Sequence, residues 1–435
     1  MNAGAALRAE AARALARIVF DGVSLRATVS GSAPRFDDPR DRALLSASLI
    51  VATRWWLRLD AAIAKLLEKP LPAKAGEIRA LLAIGCAQIA MLRMPVYAVV
   101  ASCVDAARGL GLSRYAGLVN ALLRRFVREQ AALDAELDAD EITRTAHPRW
   151  LIDALRRDWP DDADAMLDAN NQEAPLTLRV NRRRAERADL LDRLLAHGIA
   201  ADPHPGLAHA IVLERSTDVT ALPGYAQGLF SVQDGAAQRV ADLVDPAAGQ
   251  RVLDACAAPG GKAAHILERA DVALTALDRD ETRLARVREN MERLGLQADL
   301  RHGDALVPGT WWDGRAFDRI LIDAPCSATG IIRRQPDIKL HRRAADIGPL
   351  AEMQERMLAA LWPLLAPGGR LVYATCSVLR AENEAVLAGF RAACADASIV
   401  PVPSAFGRAA GTGRQHLPGA GGMDGFYYAV LEKPR

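Results

Sequence analysis

The stretch Arg251-Val-Leu-Asp-Ala-Cys-Ala-Ala-Pro-Gly-Gly-Lys262 decides the fold class. Arg251–Leu253 reads as a short buried strand, Pro259-Gly260-Gly261 as a tight turn, and Ala263–Arg269 as a helix. A strand passing through a glycine turn into a helix is the repeating unit of a parallel sheet, whose strands need crossover connections. With no side chains at Gly260 and Gly261, backbone N–H groups can face a ligand just before the helix begins. The loop is neither GxGxxG nor GxxxxGK[ST], which disfavours a dinucleotide or a nucleoside triphosphate.

Downstream the same alternation continues. Leu274–Leu277 reads as a strand ending at Asp278, a position that commonly bonds ribose hydroxyls in nucleotide-binding sheets. Leu284, Val287, Met291 and Leu294 then line one helix face. A strand near Asp299–Arg301 leads to Asp304, which can reach an adenine amino group or simply cap a turn. Phe317–Ile322 and Arg370–Ala374 read as further buried strands, and Gly425–Leu431 as a last aromatic one. Residues 236–435 are therefore expected to form a doubly wound, mostly parallel, Rossmann-like α/β domain.

Two cysteine strings close two of these strands, Asp323-Ala-Pro-Cys326 and Thr375-Cys376-Ser377. Chemistry in an open α/β sheet collects beyond the carboxyl ends of its strands. Two thiols delivered there, one beside a carboxylate, suit covalent catalysis in which a second group undoes the bond. Carbon 5 of cytosine is a poor nucleophile until a thiolate adds at carbon 6 and makes it an enamine carbon, able to take a methyl group from a sulfonium. The carbon 5 proton must then leave and the sulfur be expelled. Asp323 is the candidate for N3 or the exocyclic amine of the pyrimidine. The residues alone do not choose which thiol attacks. Cys256 lies in the glycine loop, and Cys86, Cys103 and Cys394 lie in helical contexts, where a small buried hydrophobe is the ordinary reading.

Upstream, residues 1–140 show helical periodicity, as at Leu7, Ala11, Leu15 and Ile18 and along Leu44–Leu67, and predict an all-α domain. Trp55, Trp56 and Tyr97 read as core or interface packing. Ala131–Asp140 reads as a linker. Residues 145–235 suggest a small α+β module, with a strand over Pro175–Val180 and a helix over Ala188–His197. Ser231, with an acid three residues on at Asp234, has the pattern of a helix-opening capping box.

Residues 1–140 carry 19 Lys and Arg against 14 Asp and Glu, with Arg124, Arg125 and Arg128 close together. That mild excess is either a solvated face or an RNA contact. The stretch Thr329–Asp337, with Arg333 and Arg334, follows the first cysteine string and reads either as a phosphate-gripping loop or as a solvated one. The net charge of the 435 residues is only +2, which by itself implies no nucleic acid. Six cysteines without CxxC spacing argue against structural zinc or a disulfide scaffold, so no metal is expected and the chain reads as cytoplasmic. Apolar runs such as Leu81–Leu92 fall short of the about 20 residues a spanning helix needs, so no membrane partner is expected. A monomer is expected, as no long apolar face is left unexplained.

The strings DACAAPGGK, LDRD around Asp278, GDA at 303–305, DAPCS at 323–327 and ATCS at 374–377 resemble, in content and order, the Nop/Sun (Fmu) family of RNA cytosine-5 methyltransferases. The resemblance implies S-adenosylmethionine as methyl donor. It implies that Cys256, Ala257, Ala258, Pro259, Gly260, Gly261 and Lys262 hold the donor, with Asp278, Asp304 and Asp323. It also implies that Cys376 is the nucleophile, that Cys326 assists product release, and that Asp323 recognises cytosine. In related DNA enzymes the Pro-Cys thiol attacks, so the choice of Cys376 rests on the family. Tyr97-Ala-Val-Val and Val119-Asn-Ala-Leu-Leu-Arg124 are similar to the NusB-like RNA-binding fold. That fold ahead of a Sun-type catalytic half resembles the family's bacterial branch that acts on 16S ribosomal RNA, and Arg333–Lys339 and Asp424–Tyr428 fit that branch. The alternatives are a DNA cytosine-5 methyltransferase, which leaves the second thiol unexplained, and a non-catalytic ribosome-assembly factor.

Overall fold

The computed structural model describes residues 3–215 and 217–435. The chain forms two compact units. One comprises Met1–Gln172 with Ile332–Arg343, the other Glu173–Ile331 with Ala344–Arg435. Among the described residues no helix is long and apolar enough to cross a membrane.

The first unit is helical. Helices Ala3–Asp21, Pro39–Arg54, Gly76–Ala90, Val96–Gly109 and Ala116–Arg128 share a core that includes Leu7, Leu15, Leu49, Ile78, Leu82, Val99 and Leu123. Gly76–Ala90 is buried continuously from Ala80 to Ile89, as expected of a helix with no polar face. Gly85 allows that packing, since a Cβ there would stand 2.8 Å from a methyl of Leu123. Trp56 is in the core, edge-on to Phe20 at 5.8 Å. Tyr97 is not packed; it is 80% exposed.

Two expectations change here. Ala131–Asp140 is not a linker but mostly the helix Gln130–Asp138, since its Ala and Glu residues are good helix formers and Leu133 and Leu137 are buried. Arg58 bonds Asp134 and Asp138, and Lys65 bonds Glu136, on the outer side of that helix. The helices Glu141–Thr145, Arg149–Asp158 and Ala163–Asn171 pack within this unit, whose first segment ends at Gln172.

The second correction concerns Thr329–Asp337. After Ile331 the chain leaves the sheet-bearing unit, contributes Ile332–Arg343 to the helical one, and returns at Ala344. There Lys339 Nζ donates to the carbonyl of Arg54 and to Asn171 Oδ1, both at 2.8 Å. Asp337 Oδ2 accepts the backbone N–H of Leu25 at 3.0 Å, and Arg54 donates to the carbonyl of Arg333 at 2.9 Å. Burial, then the nearby Arg54 charge, pull the Lys339 ammonium well below the ordinary lysine range. Arg333 is 3% exposed and Arg334 half-buried. Reading Arg333 as an open phosphate grip is therefore wrong for this structure, because its guanidinium does not face solvent.

The second unit holds two sheets. The smaller has order β2-β3-β1-β4, with β1 Leu176–Val180, β2 Ala201–Pro203, β3 Ala210–Leu213 and β4 Phe230–Val232, all antiparallel. Ser231 does not cap a helix. It pairs with Arg179 across β4 and β1, and Asp234 instead caps the turn of helix Gly235–Gln238 by accepting the N–H of Ala236. The pairing with a strand some fifty residues upstream outweighs the local capping pattern.

The larger sheet contains β5 Arg251–Asp254, β6 Ala273–Asp278, β7 Asp299–His302, β8 Phe317–Asp323, β9 Leu365–Thr375, β10 Ser398–Val400, β11 Arg408–Ala410, β12 Gly413–His416 and β13 Phe426–Glu432. Its order is β11-β12-β13-β9-β8-β5-β6-β7, with β10 beside β13. The run β9-β8-β5-β6-β7 is parallel, and β13 joins β9 antiparallel. From β5 the chain winds outward through β6 and β7, and from β8 through β9 in the opposite sense. The switch point lies between β5 and β8, where such sheets bind ligands.

Candidate active site

Beyond the carboxyl ends of β5, β6, β8 and β9 lies a cavity of about 240 Å³. Of the residues expected to form a site, Cys256, Ala258, Asp278, Asp304, Asp323, Cys326 and Cys376 line it. Ala257, Pro259, Gly260, Gly261 and Lys262 do not; the first three belong to the turn after β5, and Gly261 and Lys262 open the helix Gly261–Arg269. Met353 and Met357, on helix Ile347–Leu361, close the opposite wall, and no motif in the sequence marks them.

The loop after β5 is held from several directions. The Ala258–Pro259 peptide is cis, and Gly260 has φ +98° with Val287 so close that a Cβ would meet it at 3.1 Å. Glycine is therefore required there on conformation as well as space. Asp278 Oδ2 accepts the Ala258 N–H at 3.1 Å. Arg283 donates to the Ala258 carbonyl at 2.8 Å and Asn290 to that of Pro259 at 3.0 Å. Asp304, exposed at the end of β7, accepts the N–H of Leu306 at 2.8 Å, so a turn role coexists with its place in the cavity. Burial, then the charges of Asp323, Asp254 and Asp278, push the Cys256 thiol well up, which leaves it a neutral wall residue.

A module residue reaches the same loop. Arg179 of β1 is wholly buried and makes a two-point ion pair with Glu268, at 3.0 and 2.7 Å. Its remaining nitrogen donates to the Gly261 carbonyl at 2.7 Å and to Gln233 Oε1 at 2.5 Å. Sequence reading gave no sign of this, since an arginine inside an alternating strand looks like a solvent-facing position.

The register of the parallel pair β8–β9 brings the cysteines together. Asp323 lies opposite Ala374, so the turns holding Cys326 and Cys376 start level with each other. Their sulfurs are 3.4 Å apart, in hydrogen-bond contact. Cys326 is buried, whereas Cys376 is partly exposed to the cavity. The hydrogen bond with Cys376, then burial, then the negative surroundings including Glu382, push the Cys326 thiol well above its ordinary value.

Lys262 is the residue whose role differs most from expectation. Its Nζ lies 2.6 Å from Asp323 Oδ2 and 5.1 Å from the centre of the Phe426 ring. Burial alone lowers the Lys262 ammonium, but Asp323, its hydrogen bond, and the Cys376 and Asp254 sites together outweigh it and raise it above the ordinary lysine value. It therefore stays charged and fixes Asp323 beside the thiols.

The expected basic patch on the helical unit is split. Arg124 is exposed and bonded only to Asn120 at 3.1 Å in the described contacts, whereas Arg125 is half-buried, pairs with Glu129 and donates to the Leu66 carbonyl at 2.9 Å.

The carboxylates on one wall and the methionines on the other suit a nucleoside with a polar sugar and a flat base. Comparisons with known proteins identify the family. Residues 241–432 match the family described as 16S rRNA methyltransferase RsmB/F, residues 147–220 the ferredoxin-like domain of RsmF/B-like methyltransferases, and residues 6–128 the NusB family. The chain is 47% identical over 434 residues to "Ribosomal RNA small subunit methyltransferase B" of Xanthomonas campestris, covering 99% of this chain and 98% of that one. It is likewise 47% identical over 434 residues to the protein of the same name from Xylella fastidiosa, covering 100% and 99%. The solved structure of PH0851 superposes with a TM-score of 0.83 at 21% identity, covering 100% of this chain and 99% of that one, and so shares its fold.

Proposed function

Because this chain belongs to the 16S rRNA methyltransferase RsmB/F family, we propose that it methylates carbon 5 of one cytosine in 16S ribosomal RNA through a covalent Cys376–carbon 6 adduct. The observation that carries this reading is the pair of sulfurs 3.4 Å apart, beside Asp323, in one cavity. An enzyme that methylates an amino group or an oxygen needs no thiol pair.

S-adenosylmethionine, when bound, supplies an electrophilic methyl group. Its holders would be the backbone of Ala255, Cys256 and Ala258 with Asp278 and Asp304, which line the cavity, and the closely packed turn at Gly260 allows that backbone approach. The chain's own residues supply the rest. Cys376 adds to carbon 6, and Asp323, fixed by Lys262, bonds the pyrimidine edge. Once carbon 5 has taken the methyl group, product release requires that a base, here water in the open cavity, take the carbon 5 proton while the carbon 6–sulfur bond breaks and Cys376 departs as thiolate. The protonated Cys326 is placed to donate a hydrogen bond to that sulfur, both as the thiolate forms and as it leaves. The assignment of attack to Cys376 rests on the family resemblance.

Reaching carbon 6 requires an unstacked base, so a loop or single-stranded target is expected. The exposed Arg124 face is the better candidate for RNA phosphates than Arg125 or Arg333, and Arg334 remains a second candidate. A substrate of this kind places the enzyme in the cytoplasm. The test supplies labelled S-adenosylmethionine with unmodified small-subunit RNA, free and protein-bound, and maps new 5-methylcytosine by bisulfite sequencing. A single modified cytosine is the expected result; methylation at a base nitrogen, or none with RNA bound, refutes the reading.

A further inference from the structure

Behind the two thiols lies a buried polar floor centred on one carboxylate. Glu382, at the end of the short turn Arg380–Glu382, has no exposed surface. Its Oε1 accepts the backbone N–H of Ser327 at 2.7 Å and the Gln354 amide at 3.3 Å. Its Oε2 accepts the hydroxyls of Ser327 at 2.5 Å and Ser377 at 2.6 Å. Ser327 and Ser377 directly follow Cys326 and Cys376. Gln354 also donates to the Pro325 carbonyl at 2.9 Å, and Thr329 Oγ1 lies 3.2 Å from both serine hydroxyl oxygens. Every link from this carboxylate therefore ends at one cysteine turn or the other.

Burying a carboxylate is costly unless its oxygens are satisfied. Here the satisfying donors come from two turns fifty residues apart, so the cost is met only when both turns sit where the thiols touch. The Cys326 and Cys376 turns make few direct backbone links of their own; the Gly330 N–H to the Cys376 carbonyl, at 2.8 Å, is one.

We propose that Glu382 is the positioning residue of the thiol pair, holding Cys326 against Cys376 by gripping Ser327 and Ser377 at once. It touches neither base nor donor and acts through the two turns. The inference rests on the two-thiol reading of the site. Its negative charge near Cys326 also favours the protonated thiol there.

The test uses the full-length protein and two readouts. The first needs no RNA. Diamide oxidises a close thiol pair: the two thiols give up two hydrogens to its N=N bond, and one S–S bond forms. Peptide mapping follows the rate of the Cys326–Cys376 link. Glu382→Ala is expected to slow it by about tenfold, while Glu382→Gln, which keeps an acceptor for Ser327 and a polar contact for Ser377, is expected to recover most of the rate. Ser377→Ala, a milder change should Glu382→Ala fail to fold, is expected to fall between them.

The second readout is turnover on small-subunit RNA. Glu382→Ala is expected to lower kcat by about a hundredfold with KM for S-adenosylmethionine unchanged, the pattern of misplaced groups rather than lost binding. Linking at the wild-type rate in both Glu382→Ala and Ser377→Ala overturns the proposal, as does a KM rise matching the kcat loss. Should the wild-type protein methylate no cytosine while Glu382→Ala still slows the link, the positioning role stands and the functional reading falls.

Discussion

Lys262 Nζ and Asp323 Oδ2 stand 2.6 Å apart, joining the first turn of the helix after β5 to the end of β8. Neither side chain is more than a third exposed, so the contact is a charge-assisted hydrogen bond in a partly desolvated place. Asp323 has a second acid, Asp254, nearby, whose charge and its own act on each other. Lys262→Met is expected to leave Asp323 without its donor and to cost about 1–3 kcal/mol of stability. Lys262→Arg should restore much of that. Urea unfolding at pH 7 checks both, and equal stability of the Met variant and wild type would show that the contact contributes little.

The two thiols predict opposite phenotypes. Cys326→Ala should accumulate a protein–RNA adduct that survives denaturing electrophoresis, because attack persists while release slows. Cys376→Ala should form none. An adduct in the Cys376 variant and not in the Cys326 variant would reverse the assignment.

Asp254 predicts a pH dependence. It is 1% exposed, and burial, then the charge of Asp323, raise its pKa to about 7 against the opposing pull of the Lys262 charge and the Cys256 backbone N–H. In the unfolded chain it titrates near 3.8. Between those values the folded state keeps a proton that the unfolded state has lost. Stability from this group is thus full below pH 3.8 and is lost as pH rises through 7. At about 1.36 kcal/mol per pK unit, the loss approaches about 4 kcal/mol as an upper bound. Asp254→Asn should therefore gain in Tm relative to wild type between pH 5 and 8. A wild-type-minus-variant difference flat across that range would show that Asp254 is ionised in the fold.

Arg179 predicts a non-additive pair. Arg179→Met leaves Glu268 buried and uncompensated, at a cost of about 3–5 kcal/mol. The double variant with Glu268→Met should recover most of it, because both desolvation costs vanish together. Denaturant unfolding reads the cycle. The single variant should also weaken S-adenosylmethionine binding, measured by calorimetry, since the Gly261 carbonyl loses its donor.

Much of the catalytic sheet was legible because its signals are local. A strand, a glycine turn and a helix follow one another within twenty residues around Gly260, and each cysteine string closes an apolar run. The failures share one cause. Ser231 carries a helix-capping pattern yet pairs with Arg179; Ala131–Asp140 looks like spacer yet packs through Leu133 and Leu137. In both, a distant partner decided between conformations that the local residues permit. Arg333 shows the same limit: a charge on a glycine-bearing stretch reads as phosphate-gripping or solvated until Arg54, far away in sequence, is found beside its backbone.

The sequence by itself determined that two thiols and a carboxylate would arrive at the carboxyl ends of strands in one sheet, past a glycine turn. Apolar runs, turn residues and their order are properties of short segments, and they suffice for that. Only the tertiary structure decided that the sulfurs meet, that Cys326 is the buried one of the pair, that Lys262 serves Asp323, and that Glu382 bonds to both turns. Those facts depend on strand register across β8 and β9 and on burial by groups some fifty residues apart, and both exist only once the sheet has closed.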